Sequence, residues 1–142
     1  DDGVLARSRR PFTVGDAIRC FTLCEEEGVA YMPQILLGGP GETPGTVAAN
    51  HAILRRRRPI MVEASHGMRI LPRAGLRDVA VAEEVIDADD DLLTPRFYLS
   101  EALRGREDWL TKQTRRLGRF RLSSMGQWWR YIGASRAVAK QN

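Results

Sequence analysis

Gln34-Ile-Leu-Leu-Gly-Gly-Pro-Gly-Glu-Thr-Pro-Gly-Thr46 is an apolar run, a glycine-rich turn and a helix start in thirteen residues. The run from Val29 to Leu37 carries Val, Tyr, Ile and Leu without a charge, as a strand covered on both faces would. Gly38, Gly39 and Gly41 permit positive φ and close approach of a ligand to the backbone. Glu42 stands at the mouth of the turn. Thr43 is placed to cap the next helix, and Pro44 suits its first position. A strand end facing a helix N-terminus is where open α/β folds bind ligands. A phosphate loop would need Gly-x4-Gly-Lys-Ser/Thr, and no Lys is present. The spacing 38, 39, 41, 45 does not fit the dinucleotide pattern either. An ordinary tight β–α connection is the plain alternative.

Working outward, Thr13-Val-Gly-Asp16 reads as a capping-box variant before an amphipathic helix over 14–27, ended by Gly28. Cys20 and Cys24 lie inside that helical pattern. Free cysteines are among the most buried residues, so both are expected to pack. After the glycine turn, a helix runs from Pro44 to about Arg56, with Val47, Ala48, Ile53 and Leu54 as apolar contacts. Arg55 to Arg58 suit its C-terminal dipole, and Pro59 forbids continuation.

Residues 60–71 read as the next strand. Ile60, Val62, Ala64, His66, Met68 and Ile70 form a mostly apolar set that should pack under helices. The alternate set then turns Glu63, Ser65 and Arg69 toward a lumen, as substrate-facing residues or as partners in a structural layer. His66 falls in the apolar set and reads as a buried, satisfied histidine. His51 lies on a helix, and neither belongs to a Cys/His/Asp cluster with metal spacing, so no metal ligand is assigned. The acidic turn Asp87–Asp91 fails the EF-hand pattern, because Leu92 holds the glycine position and Tyr98 the glutamate position. A helix is expected over 76–85. A short extended segment over 92–99 is confined to an edge or loop by Pro95. Further helices are expected from Ser100 to about Leu117 and from about Ser124 to Ala139. The last carries Trp128, Trp129 and Tyr131 near Arg119, Arg121 and Arg130.

The 142 residues allow one domain with a real core, and 43% hydrophobic with 28% charged residues is the composition of a globular protein. No apolar run reaches the ~18–20 residues of a membrane helix. The start at Asp1 has neither a signal peptide nor an initiator Met, which suggests a fragment or processed chain. Two cysteines four apart make no disulfide framework, so a reducing, cytoplasmic setting is expected. Residues 1–103 hold 12 basic and 16 acidic side chains, net −4. Residues 104–142 hold 10 basic and 2 acidic ones, net +8. That basic part reads as a solvated helical face, or as a contact for nucleic acid.

Leu36-Leu-Gly-Gly-Pro-Gly-Glu-Thr43 resembles the fifth-strand motif of radical S-adenosylmethionine enzymes. Phe12-Thr-Val-Gly-Asp16, Met68-Arg-Ile-Leu-Pro72 and Asp89 to Ser100 follow the order of the C-terminal half of such proteins of the cobalamin-binding type. The likeness covers roughly residues 10–103. It implies an α/β fold, a partial parallel (β/α) barrel segment over 1–103 with a basic helical extension over 104–142. It implies S-adenosylmethionine as cofactor. The 4Fe–4S cluster and cobalamin of the full-length protein would not be held by this chain alone. Cys20-Phe-Thr-Leu-Cys24 has the first spacing of the family's Cys-x3-Cys-x2-Cys cluster motif, but its third position, residue 27, is Glu.

By strand register, the resemblance assigns Gln34, Leu36, Gly38, Gly39, Gly41 and Glu42 to the nucleoside, with Leu36 against adenine. Glu63, Ser65 and Arg69 would face an unknown small-molecule substrate; no catalytic residue is assigned. The family pattern has glycine where Gln34 stands, and Arg-Ile-Tyr-Pro-Gly-Thr where this chain has Arg69-Ile-Leu-Pro-Arg-Ala74. The implied partner is the missing N-terminal barrel half, in the same or a separate chain, with no membrane and with nucleic acid disfavoured. Two other classes stand beside this: a small basic non-enzymatic module binding nucleic acid, and a non-functional fragment.

Overall fold

The computed structural model describes residues 1–117 and 120–122. Helices α1 (Asp2–Arg7) and α2 (Val14–Glu26) precede strand β1 (Gln34–Leu37), helix α3 (Pro44–Arg55), strand β2 (Val62–His66) and strand β3 (Met68–Arg69). Helix α4 (Gly75–Ala82), strand β4 (Phe97–Tyr98), a 3-10 turn (Glu101–Leu103), helix α5 (Glu107–Arg115) and strand β5 (Phe120–Leu122) follow. The chain is mixed α/β. A three-stranded parallel sheet has the order β1-β2-β5, and β3 and β4 form a separate antiparallel ribbon.

Helix starts follow local chemistry. Thr13 and Asp16 form a complete capping box at α2, each satisfying the other's backbone N–H. Thr43 and Thr46 do the same at α3, with Pro44 at the first helical position. Gly28, at φ +67, follows the end of α2.

The strands depart from expectation in three ways. The run 29–37 yields only four paired residues, because Pro33 has no N–H for a ladder and only its carbonyl is used, by the Glu63 amide at 2.9 Å. Nor is β1 covered on both faces: Gln34 and Leu36 are exposed, while Leu37 is fully buried. The expected strand 60–71 is two strands. Gly67, at φ +77, breaks it, and its amide bonds the Leu37 carbonyl at 2.7 Å. Met68 and Arg69 then pair with Tyr98 and Phe97 in the ribbon. Within β2 the alternation holds: Val62, Ala64 and His66 are buried, and Glu63 and Ser65 half-buried.

Two apolar cores result. Leu37, Val47, Leu99, Leu103 and Leu110 fill the space between the sheet and α3 and α5. Ile70, Ala80, Ile86, Leu92 and Tyr98 join the ribbon to α4. Ala48 is exposed, against expectation, and His51 takes the buried α3 face with Val47 and Leu54. The single helix expected over 100–117 is interrupted at Gly105, φ +73. Residues 104 onward begin with α5, whose Leu110 and Thr114 are buried, and continue into β5, a strand not foreseen from the sequence. The helix expected over 124–139 lies outside the described residues. Among the described residues, no helix is long and apolar enough to cross a membrane.

Candidate functional site

The site lies at the C-terminal end of β1. Parallel pairing sets Gln34 opposite Glu63 and Leu36 opposite Ser65. All four therefore share one face of the sheet, and the other face packs on α3 and α5. The Gln34 Nε2 donates to Glu63 Oε2 at 2.7 Å. Leu36 keeps 46% of its surface exposed, although it is a leucine in a strand. Arg69 does not join this group; beyond the Gly67 break it pairs with Phe97 in the ribbon.

The glycine turn is folded around Glu42. Its side chain is 1% exposed, and one carboxylate oxygen accepts both the Gly38 and the Gly39 N–H, the latter at 3.2 Å. The other oxygen accepts from Asn50 Nδ2 of α3 at 3.2 Å. Burial raises the carboxyl pKa above its ordinary range, and the two glycine amides oppose that shift. Ser100 ties the turn down from beyond β4. Its hydroxyl donates to the Glu42 carbonyl at 2.7 Å, and its amide donates to the Gly38 carbonyl at 2.9 Å.

The glycines serve the chain's own packing. A Cβ on Gly38, at φ +101, would stand 2.3 Å from Leu99 Cδ1. A Cβ on Gly41 would stand 2.3 Å from Arg7 Nε, which donates to the Pro40 carbonyl at 3.2 Å. One on Gly39 would meet Met68 Sδ and Ser8 Oγ at 3.2 Å. Thus α1 lies across the top of the turn. The close backbone approach foreseen for a ligand at Gly38 and Gly41 is taken by Leu99 and Arg7.

Beside the turn is a cavity of about 690 Å3, along the open edge of β1 and between α1, α2 and α3. Gln34, Leu36, Gly39 and Glu42 line it together with Phe12 and Met68. Its size suits a nucleoside-sized ligand. Gln34 brings an amide, Leu36 and Phe12 apolar surface. Glu42 is among its walls, with both carboxylate oxygens already engaged. Gly38, Gly41, Glu63, Ser65 and Arg69 are not among its walls.

Behind the sheet are two buried histidines. His66 Nε2 is 3.2 Å from Thr114 Oγ1, whose proton goes to the Leu110 carbonyl at 2.9 Å, so the imidazole Nε2 is the donor. His51 is 2% exposed, and its Nε2 has no hydrogen-bond partner. Burial, then Arg55 and His66, push its pKa down to about 4. Burial likewise lowers that of His66. Among the described residues no three His, Cys, Asp or Glu side chains converge as metal ligands.

Sequence reasoning missed Asn50, Ser100 and Arg7. Each acts on the turn from a distant element, and no local pattern marks such a contact. No protein-family model, no curated protein and no solved structure matches this chain.

Proposed function

We propose that this chain is the C-terminal portion of a cytoplasmic radical S-adenosylmethionine enzyme of the cobalamin-binding type, with β1, β2 and β5 as three strands of a partial barrel. The reading is supported above all by one observation. A parallel strand pair carries Gln34, Leu36, Glu63 and Ser65 on one face and ends in a glycine turn beside a nucleoside-sized cavity. Leu36 and Gln34 take the adenine side of S-adenosylmethionine, the cofactor that supplies the radical when a reductant cleaves it. Glu42 acts one step back. It holds Gly38 and Gly39 in place and so positions Leu36, since the glycine amides it engages cannot also bind a ligand. Glu63 and Ser65 form the wall toward substrate. The iron–sulfur cluster does not fit the described residues, which offer no converging set of ligands. On this reading it belongs to the N-terminal barrel half, whose strand would pair with the open edge of β1, and cobalamin belongs to a separate N-terminal domain.

The test is equilibrium binding of S-adenosylmethionine and of 5′-deoxyadenosine to the chain by calorimetry. Both should bind, and Leu36→Asp should weaken them at least about tenfold, because it sets an unpaired charge against an apolar base. Binding unchanged by Leu36→Asp, or no binding by the wild-type chain, overturns the assignment. Reconstitution with iron and sulfide should give no 4Fe–4S absorption; a spectrum that Cys20→Ala abolishes would place the cluster here after all.

A further inference from the structure

Helix α2 presents Cys20 and Cys24 one turn apart. Positions four apart share a helix face, with Cβ atoms about 5–6 Å from each other. Both lie on the 13-residue helix, so their side chains stand side by side along it. They are not buried as packing cysteines would be. No residue of α2 is buried, Cys20 is exposed, and Cys24 is half-buried. Cys20 also lines the cavity beside β1. Two thiols therefore share one face of α2 at a surface that is not closed over, and no third His, Cys, Asp or Glu among the described residues completes a metal-binding group with them. Such a pair cannot make the four-coordinate site that zinc takes, nor hold a cluster by itself. It suits a soft cation content with two thiolates.

We propose that Cys20 and Cys24 form a two-thiol site for a soft monovalent cation of the copper(I) class. The site is independent of the nucleoside reading and stands or falls on its own test. Binding forms two metal–sulfur bonds and releases two protons: Cu⁺ plus two Cys–SH gives a bis-thiolate copper(I) of charge −1 and 2 H⁺. No electron is transferred. Thiols bind the cation as thiolates, so the cation must displace both protons and binding strengthens as pH rises. Phe21, between the two cysteines in sequence, stacks on Tyr31 with ring centroids 5.3 Å apart, which fixes this turn of α2 against the following segment.

The experiment is an anaerobic titration of the full chain with copper(I), competed by a bicinchoninate chelator. One ion should bind per chain. Cys20→Ser and Cys24→Ser should each lower the affinity by about a hundredfold or more, since one thiolate cannot replace the pair. Each pH unit below the thiol range should weaken binding about a hundredfold, the signature of two released protons. Far-UV circular dichroism of the serine variants checks that α2 persists. Should Cys24→Ser lose helix, Cys20→Ser alone decides, because its side chain is exposed. The proposal is overturned if either folded serine variant keeps wild-type affinity, if several ions bind equally, or if binding is independent of pH.

Discussion

Leu36 and Leu37 are adjacent in one strand and have the same side chain, yet they meet opposite environments. Leu37 is fully buried against Val47, Leu99, Leu103 and Leu110. Leu36 points to the other face, half-open to solvent, with Ser65 opposite it. The two faces of the β1–β2 pair differ in the same way throughout. The back is closed by α3 and α5 and buries Val62, Ala64 and two histidines. The front offers Gln34, Leu36, Glu63 and Ser65. A parallel strand is normally covered on both sides, and among the described residues the front of this pair is not.

The largest expected effect breaks the back. Leu37→Ala should cost about 2–5 kcal/mol in urea denaturation, through lost burial and the cavity left behind. A loss under about 1 kcal/mol would show that the two faces are equivalent.

The next is a pH signature. His51 has a pKa near 4 in the fold against 6.5 outside it. A base with a lowered folded pKa contributes stability that is present above pH 6.5 and lost as pH falls from there toward 4. That loss should reach about 3 kcal/mol, from a shift of this size. His66 adds in the same direction. Glu42, beside the front cavity, has the opposite sign. Its raised carboxyl pKa contributes stability below its ordinary value of 4.5, and this is lost as pH rises through the raised value. Urea midpoints between pH 7 and 4.5 should therefore fall with acidification, and His51→Leu should flatten most of that slope. A wild-type midpoint that does not move over this range would contradict the buried neutral histidines.

Gly38→Ala should cost about 1–3 kcal/mol, since the new Cβ meets Leu99 at a positive φ. Combined with Leu99→Ala, the two losses should be less than additive, because the shortened side chain removes the clash; full additivity would place the strain elsewhere. Leu36→Ala is the smallest, under about 0.5 kcal/mol in stability for a residue this exposed. Its effect should appear in nucleoside affinity instead, and a stability loss as large as that of Leu37→Ala would erase the contrast between the faces.

What could be read along the chain is what local chemistry fixes. The two capping boxes, the proline at the start of α3 and the alternation within β2 depend on residues within a few positions of each other. The same reasoning placed Glu63 and Ser65 on one strand face, while Gln34 and Leu36 were assigned through the resemblance, and pairing brings the four together. It placed Arg69 there too, because parity carries through a run of residues until something interrupts it. Gly67 is that interruption, and a lone glycine in an apolar run does not announce whether the strand bends.

The sequence by itself thus determined where α2 and α3 begin, which β2 residues turn inward, and that a glycine turn closes β1. Tertiary structure alone decided that Glu42 turns inward to its own glycine amides, that Leu99 and Arg7 fill the space the glycines leave, and that β5 joins β2 as a parallel neighbour. It also decided that Leu36 stays open. Those outcomes rest on contacts between residues as far apart in sequence as Gly38 and Ser100, or Gly38 and Leu99. Such contacts form only when the whole chain has packed, so no short window of sequence contains them.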